Sequence, residues 1–530
     1  MFLLKRVIPA FFLILSLFAS SVSAAPPDHS QYKNRYISAQ LLGMNDFHGQ
    51  LDVYRTVDGR KVGGAEYLAA YLEKYEAENK NTLLIHSGDV VGASSPVSSL
   101  LQDEPTIEIL NDIGFDVGTV GNHEFDEGVA EMKRLIYGGE HEETGDFEGA
   151  SFPYTVANVK DEETGEPILP PYVIKKVNGM PIGFVGVVTT ETKDIVLPSG
   201  IEGVEFTDET TAINQAVSEL KEKGVESIVV LAHVPASSDQ DGSNASGEVV
   251  DFAPEVDDEV DIIFGGHNHA YANTVVDGKL IVESYSYGTA FSEVDIKIDP
   301  KTKDIVEKEA SIVTTYHDGI EPDQAVRNKV DDYKKEIEDL VEEVIAQAAE
   351  PITKEQEESG ESALGNLVAD SQRAAMDTDF AFMNPGGIRA NLDEGPITWG
   401  ELYTMLPFGN NLVQMTLTGD QIKALLEQQW SGSYARILQI SGLEYTWDRD
   451  APVGEKVTSM TDSQGNPIDP EQSYTVAVNN FIATGGDGFT VLKEGTNQVT
   501  GPLALDAMIQ YLQSQKDAIE APVLNRIEVK

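Results

Sequence analysis

Short apolar runs punctuate the first half of the chain, and each stops at a glycine or a polar residue. Leu41-Leu42-Gly43-Met44, Leu83-Leu84-Ile85-His86, Val117-Gly118-Thr119-Val120, Ile182 to Val188, Ile228 to Leu231 and Ile262-Ile263-Phe264 are rich in β-branched residues and lack polar alternation. Continuous runs of this kind predict strands buried on both faces. Helix-forming stretches lie between them, among them Gly64–Asn79 and Thr210–Lys223. Strand and helix alternating from about Ile37 to Asp299 predict an α/β domain.

The texture changes at Pro322. In "DQAVRNKVDDYKKEIEDLVEEVIAQAAE" the residues Val330, Tyr333, Ile337, Leu340, Val341, Val344 and Ile345 recur at near-helical spacing. One long helix over 318–350 is expected to link two domains, the first over 36–317. The second, over 351–530, mixes a helical stretch, "SALGNLVADSQRAA", with alternating strands such as "YTVAVNN" and many turn residues, and reads as α+β. No internal repeat stands out.

The chain has 530 residues, enough for two or more domains, and 41% hydrophobic residues, enough for sizeable cores. Its 89 acidic and 37 basic residues give a net charge of −52. Such a surface is a poor partner for nucleic-acid polymers and anionic membranes. Lys5 and Arg6 precede the apolar run Val7 to Leu15, and the small residues Ser21 to Ala25 follow. That order predicts a secretory signal peptide at 1–24, with cleavage after Ala24 or, as the rival, Ala25. No other run is long or apolar enough for a stable membrane anchor, so an exported protein is expected: secreted, periplasmic or in the cell-wall space. There is no cysteine, hence no disulfide. Oligomeric state is not legible.

The candidate chemistry sits at the strand ends. The apolar runs lead into Asn45-Asp46-Phe47-His48, Gly88-Asp89, Gly121-Asn122-His123-Glu124, Ala232-His233 and Gly266-His267-Asn268-His269. Sites in open α/β sheets form outside the carboxyl ends of strands, so these loops are expected to converge. Five of the nine histidines, His48, His123, His233, His267 and His269, lie at these ends. His29, His141 and His317 lie in polar stretches and read as surface; His86, inside a strand, reads as core. Imidazole and carboxylate together suit Zn, Mn, Co or Fe. The donors are too many for one tetrahedral ion, and two ions about 3.5–4 Å apart clamp a phosphoryl group.

This constellation resembles, in order, the full metallophosphoesterase signature, and the flanking "NDFHGQL", "SGDVVGAS", "GNHEFDEG" and "FGGHNH" resemble the exported 5'-nucleotidase family. The resemblance implies a four-layered α/β/β/α sandwich and two divalent metal ions. Asp46, His48, Asp89 and His269 would hold one ion; Asp89, Asn122, His233 and His267 would hold the other, with Asp89 bridging. His123 would be the acid or transition-state donor. Asp126 would orient His123, cap the helix-like stretch that follows, or both. Glu124 reads as a structural hydrogen-bonding residue.

"NPGGIRANLDEGPITWGELYTMLPFGNNL" and "NNFIATGGDGF" resemble the family's C-terminal substrate-binding domain. The implied contacts are Arg389 and Asn384 to phosphate, Phe408 and Phe481 on the two faces of a base, Asn410 to the base and Asp487 to ribose. These motifs also make good turns, and Phe408 alone reads as core. One departure stands out: Gly360 occupies the place where several family members carry an arginine. The resemblance implies hydrolysis of nucleoside 5'-monophosphates, with UDP-sugars or 2',3'-cyclic nucleotides as alternative substrates. A non-catalytic nucleotide-binding surface protein is the remote alternative.

Overall fold

The computed structural model describes residues 36–432 and 434–530; the expected signal peptide lies outside them. Two six-stranded sheets face each other in the first domain. One runs, edge to edge, Ile305–Thr314, Ala290–Ile298, Ile37–Met44, Thr82–His86, Val117–Thr119 and Tyr154–Thr155, the last four parallel. The other runs Tyr172–Val177, Met180–Val188, Ser227–His233, Val260–Phe264, Lys279–Ser284 and Tyr271–Val276, its middle four strands parallel.

Successive side chains on a strand point to opposite faces, and that alternation builds the layers. Leu41, Leu83 and Ile85 point between the sheets and join Phe184, Val229, Leu231 and Ile262. Leu42 and Leu84 point outward, where they meet Leu68 and Leu72 of the helix Ala65–Glu78 and Ile107 and Leu110 of the helix Glu104–Ile113. On the second sheet Val185, Val187 and Val230 meet Ile213, Ala216, Val217 and Leu220 of the helix Glu209–Glu222. The result is the expected α/β/β/α sandwich. Each buried Leu, Ile or Val contributes about 1.5–3 kcal/mol, whereas an exposed ion pair contributes about 0–1 kcal/mol. The three apolar layers therefore hold the sandwich, and its surface is free to be acidic.

The helix that follows is shorter than its pattern predicts. It runs Gln324–Val341, with the Asp323 carboxylate accepting from the amides of Ala325 and Val326. Val326 and Val330 pack into the first domain's core, and Lys329 pairs with Glu108 at 3.0 Å and Asp112 at 2.7 Å. Instead of continuing to Glu350, the chain turns into a strand, Val344–Ala348, antiparallel to Gly395–Thr398. Glu338, Asp339, Glu342 and Glu343 crowd negative charge onto the helix's C-terminal end, where the dipole disfavours it. Val344 and Ile345 then favour a strand.

The second domain carries a five-stranded sheet in the order Gln439–Ser441, Phe380–Met383, Ser473–Asn479, Asn411–Thr418, Thr496–Leu503. Against it packs the helix Ala363–Met376, whose cap is Ser362. Arg436 of this domain reaches Glu191 of the first at 2.5 Å. No helix among the described residues is long and apolar enough to cross a membrane.

Candidate active site

The parallel strands all end on the same side, so the loops after Met44, His86, Thr119, His233 and Phe264 meet there. Asp46, His48, Asp89, His267 and His269 have φ of 50°, 51°, 49°, 82° and 55°. This left-handed region costs a residue with a side chain about 1–3 kcal/mol, and such strain clusters at functional sites. Room for the loops is tight: a Cβ on Gly121 would lie 2.2 Å from Asp89 Oδ1, so only glycine fits.

Two overlapping donor groups result. In one, His269 Nε2 lies 3.4 Å from Asp46 Oδ1 and 3.2 Å from His48 Nε2. In the other, His233 Nε2 lies 3.1 Å from Asp89 Oδ2, and Asn122 Oδ1 lies 3.2 Å from His233 Nε2 and 2.8 Å from His267 Nδ1. Asp89 is also 3.7 Å from His48 Nε2, which places it between the groups. The far ring nitrogens of His48 and His233 are spent on the carbonyls of Gly92 at 2.8 Å and Ser87 at 3.0 Å. A second hydrogen bond of this kind fixes a metal-binding imidazole's orientation.

The electrostatics fit cations. Burial, and for His267 the neighbouring His233, hold His48 well below the usual histidine range and His267 at about 3, so both are neutral imidazoles able to coordinate. Burial opposes a charge on His233, yet Asp89 and Asp46 overcome it and raise the group to about 10. The buried carboxylates thus demand positive charge, which a metal ion would supply in place of that proton. Asp46 accepts from Asn45 Nδ2 at 2.7 Å and from the His267 amide at 3.0 Å, which orients it. The donor set, its orientation and its unmet negative charge fit two divalent ions.

His123 stands at the rim. Its Nδ1 is 2.7 Å from Asp126 Oδ2, its amide donates to Asp89 Oδ1 at 2.9 Å, and its side chain keeps 15% exposure. Burial works against its proton, but Asp126 and Asp89 outweigh burial and raise it. His123, His48 and Asp89 also lie close enough to share an ion; the Asp126 bond and the exposed edge of the ring set His123 apart. Asp126 does not cap the next helix. That helix begins at Val129 with Gly128 at the cap position. Glu124 accepts from the amides of Gly121, Asp89 and Val90 at 2.5, 3.0 and 2.8 Å, knitting two loops together.

A cavity of about 1050 Å³ opens from this cluster and is lined by Asp89, Asn122, His123 and His269 on one side and by residues of the second domain on the other. Asn384, Arg389, Phe408, Asn410, Phe481 and Asp487 all line it. The Phe408 ring stacks on His123, with centroids 5.8 Å apart and planes at 18°. The Asn384 amide donates one N–H to Asp487 at 2.8 Å and accepts from Asn479 at 2.9 Å, which fixes its orientation at the cavity wall.

The family model of the calcineurin-like phosphoesterases matches residues 39–271, and that of the 5'-nucleotidase C-terminal domain matches residues 344–494. A 5'-nucleotidase precursor from Thermus thermophilus superposes with a TM-score of 0.80 at 30% identity, over 93% of this chain and 99% of that one. The chain belongs to the 5'-nucleotidase family. Cell wall protein Lmo0130 of Listeria monocytogenes is 36% identical over 91% of this chain and 68% of its own length. Endonuclease YhcR of Bacillus subtilis is 45% identical over 96% of this chain, which spans only 43% of that protein.

Three features of this 5'-nucleotidase family member were not legible in its sequence. Arg436 lines the cavity with Nε 3.7 Å from Asp487 Oδ1, and its guanidinium lies 4.2 Å from the Tyr434 ring centre. Nothing local marks Arg436 or its partner Glu191. His317 is not a plain surface residue; it stacks on Tyr67 at 3.6 Å and hydrogen-bonds the Gly63 carbonyl. Gly360 has φ of 90°, and a Cβ there would lie 2.6 Å from Ile437, so this loop conformation favours glycine.

Proposed function

We propose that this chain hydrolyses nucleoside 5'-monophosphates to nucleoside and phosphate with two divalent ions, Zn, Mn, Co or Fe. One observation carries the reading: a single cavity has the acid–imidazole cluster and His123 on one wall and an aromatic, arginine and carboxylate set on the other. Asp46, His48, Asp89 and His269 would hold one ion, and Asp89, Asn122, His233 and His267 the other. The ions, when bound, polarise the phosphate and activate water.

The remaining roles belong to this chain's own groups. Arg389 offers planar donors to the phosphate oxygens. His123, whose proton Asp126 and Asp89 favour against burial, would protonate the departing ester oxygen or stabilise the charge that develops there. Phe408 and Phe481 supply faces on which any base can stack. Asp487 accepts from ribose hydroxyls.

The Bacillus subtilis relative is named an endonuclease, and phosphodiesters are the second reading. The cavity wall argues for small substrates. Asp103, Glu127, Glu131, Glu143, Glu248 and Asp251 all line it, and a polyanion would meet that charge along its length. The Listeria relative's name supports an export reading for this chain. A phosphate-release panel over nucleoside monophosphates, UDP-glucose, ATP and 2',3'-cyclic AMP, with Mn²⁺, Zn²⁺ or Co²⁺ and a single-stranded DNA arm, tests the proposal. Turnover of monophosphates above the rest supports it; cleavage of DNA alone overturns it.

A further inference from the structure

The end of the cavity that holds Asp487 is built from both domains. Glu191 comes from the loop after the strand Met180–Val188 of the first domain; Tyr434, Arg436 and Asp487 come from the second, and all four line the cavity. Two carboxylates there share one cation. Arg436 Nη2 donates to Glu191 Oε1 at 2.5 Å and to the Tyr434 hydroxyl at 3.0 Å, while its Nε lies 3.7 Å from Asp487 Oδ1. The side chains of Arg436 and Asp487 are 11% and 13% exposed. Charges covered to this degree depend on their partners, because removing one strands the others out of water.

Both arms of this contact are anchored. The Glu191 amide donates to Thr189 Oγ1 at 3.2 Å, and the Thr189 amide donates to the His233 carbonyl at 2.9 Å. Glu191 is thereby tied to the strand end that carries a histidine of the acid–imidazole cluster. On the other arm Asp487 Oδ2 accepts from Asn384 Nδ2 at 2.8 Å, while Oδ1 faces Arg436. Each oxygen of the carboxylate thus has a fixed neighbour, and its plane is set. Asp487 also has φ of 56°, in the left-handed region where side-chain-bearing residues are uncommon. Burial raises its carboxyl, and the Arg436 charge, ahead of the Asn384 amide, works against that. A guanidinium is planar and rigid, so the edge held by Glu191 decides where the Nε edge points.

We propose that Arg436 is a positioning residue for sugar recognition: gripped by Glu191 of the first domain, it aims the Asp487 carboxylate at a vicinal diol. The inference rests on the part of the nucleotide reading above that gives Asp487 the ribose hydroxyls, and it adds Arg436 and Glu191, which act through Asp487. Its consequence is that the diol is read in full only when the two domains meet across this contact. Ligands without a vicinal diol do not draw on Arg436 in this way.

Isothermal titration of adenosine and 2',3'-dideoxyadenosine into the Mn²⁺-loaded full chain tests this and requires no turnover. The parent should bind adenosine roughly tenfold or more tightly than the dideoxy analogue. Arg436→Met should shrink that preference to about threefold or less. Glu191→Gln should shrink it in part, and Arg436→Lys should keep part of it through charge alone. Combining Glu191→Gln with Arg436→Met should cost no more preference than Arg436→Met by itself, because the two act through one contact. A merely structural role would weaken both nucleosides in parallel and leave the preference standing. That result, or full preference in either Arg436→Met or Glu191→Gln, each folded by circular dichroism, overturns the inference. A parent with no preference between the nucleosides overturns it too, and leaves AMP hydrolysis in place. A chain that hydrolyses no AMP yet loses its diol preference on Arg436→Met keeps the inference and overturns the proposed function.

Discussion

His123 Nδ1 and Asp126 Oδ2 lie 2.7 Å apart, and neither belongs to the two donor groups built around Asp89. The short 3₁₀ turn His123–Phe125 places the pair three residues apart in sequence, on the cavity side of the cluster. Proton handling and metal holding are thereby divided between adjacent residues, since Asn122 faces His233 and His267 while His123 faces Asp126 and Phe408.

That division sets the first prediction. His123→Ala should lower turnover of AMP roughly 10²–10⁴-fold, the usual range for losing a positioned acid, and keep its bound metal. Asn122→Ala should lose metal. Elemental analysis of the two purified variants, read beside their kcat, separates these outcomes; equal metal loss in both would show that His123 is a ligand.

Asp126→Asn keeps the size of the side chain but weakens its hold on a protonated His123. With the Asp126 charge gone, the raised His123 value falls, so the alkaline limb of the kcat profile should move to lower pH. Because the helix Val129–Tyr137 takes its cap at Gly128, thermal stability should change little. A large loss of melting temperature with an unmoved pH profile would contradict this.

Phe408→Ala and Phe481→Ala should raise KM for AMP about 5–150-fold each, from about 1–3 kcal/mol of lost stacking per base. Hydrolysis of p-nitrophenyl phosphate, which lacks a nucleobase, should be far less affected by Phe481→Ala. Parallel losses on both substrates would assign Phe481 to the fold instead.

Asp261 gives a stability prediction away from the site. Burial raises its carboxyl to about 7, against the opposing effects of Lys308 and the Ile228 amide. The unfolded value is about 3.9, so between these pH values the folded chain holds a proton that the unfolded chain has released. Its contribution is therefore present below about pH 4 and lost as pH rises through 7. Asp261→Asn should gain on the parent by roughly 2–4 kcal/mol between pH 4 and pH 8. Urea midpoints at the two pH values would measure the gain, and parallel curves would contradict it.

Much of this was legible before folding. Each buried strand ends where its apolar run ends, and the donors follow at once, so Asp46, Asp89, Asn122, His233 and His267 could be placed at one end of the sheets from pattern alone. What could not be read depends on approach in space. The Arg436–Glu191 pair spans 245 positions. The linker misled because its apolar spacing continues past Val341 while its charge no longer suits a helix end. Asp126 misled in a different way: Asp is a favoured cap, and only the φ of 97° at Gly128 shows that the helix starts later.

Phosphate release from AMP by the metal-loaded chain, followed through chelation and metal return, is the decisive measurement. Turnover should vanish on chelation, return with added Mn²⁺, Zn²⁺ or Co²⁺, and saturate near two ions per chain. Full metal occupancy with no phosphate released from AMP, or release that persists in metal-free protein, would contradict this.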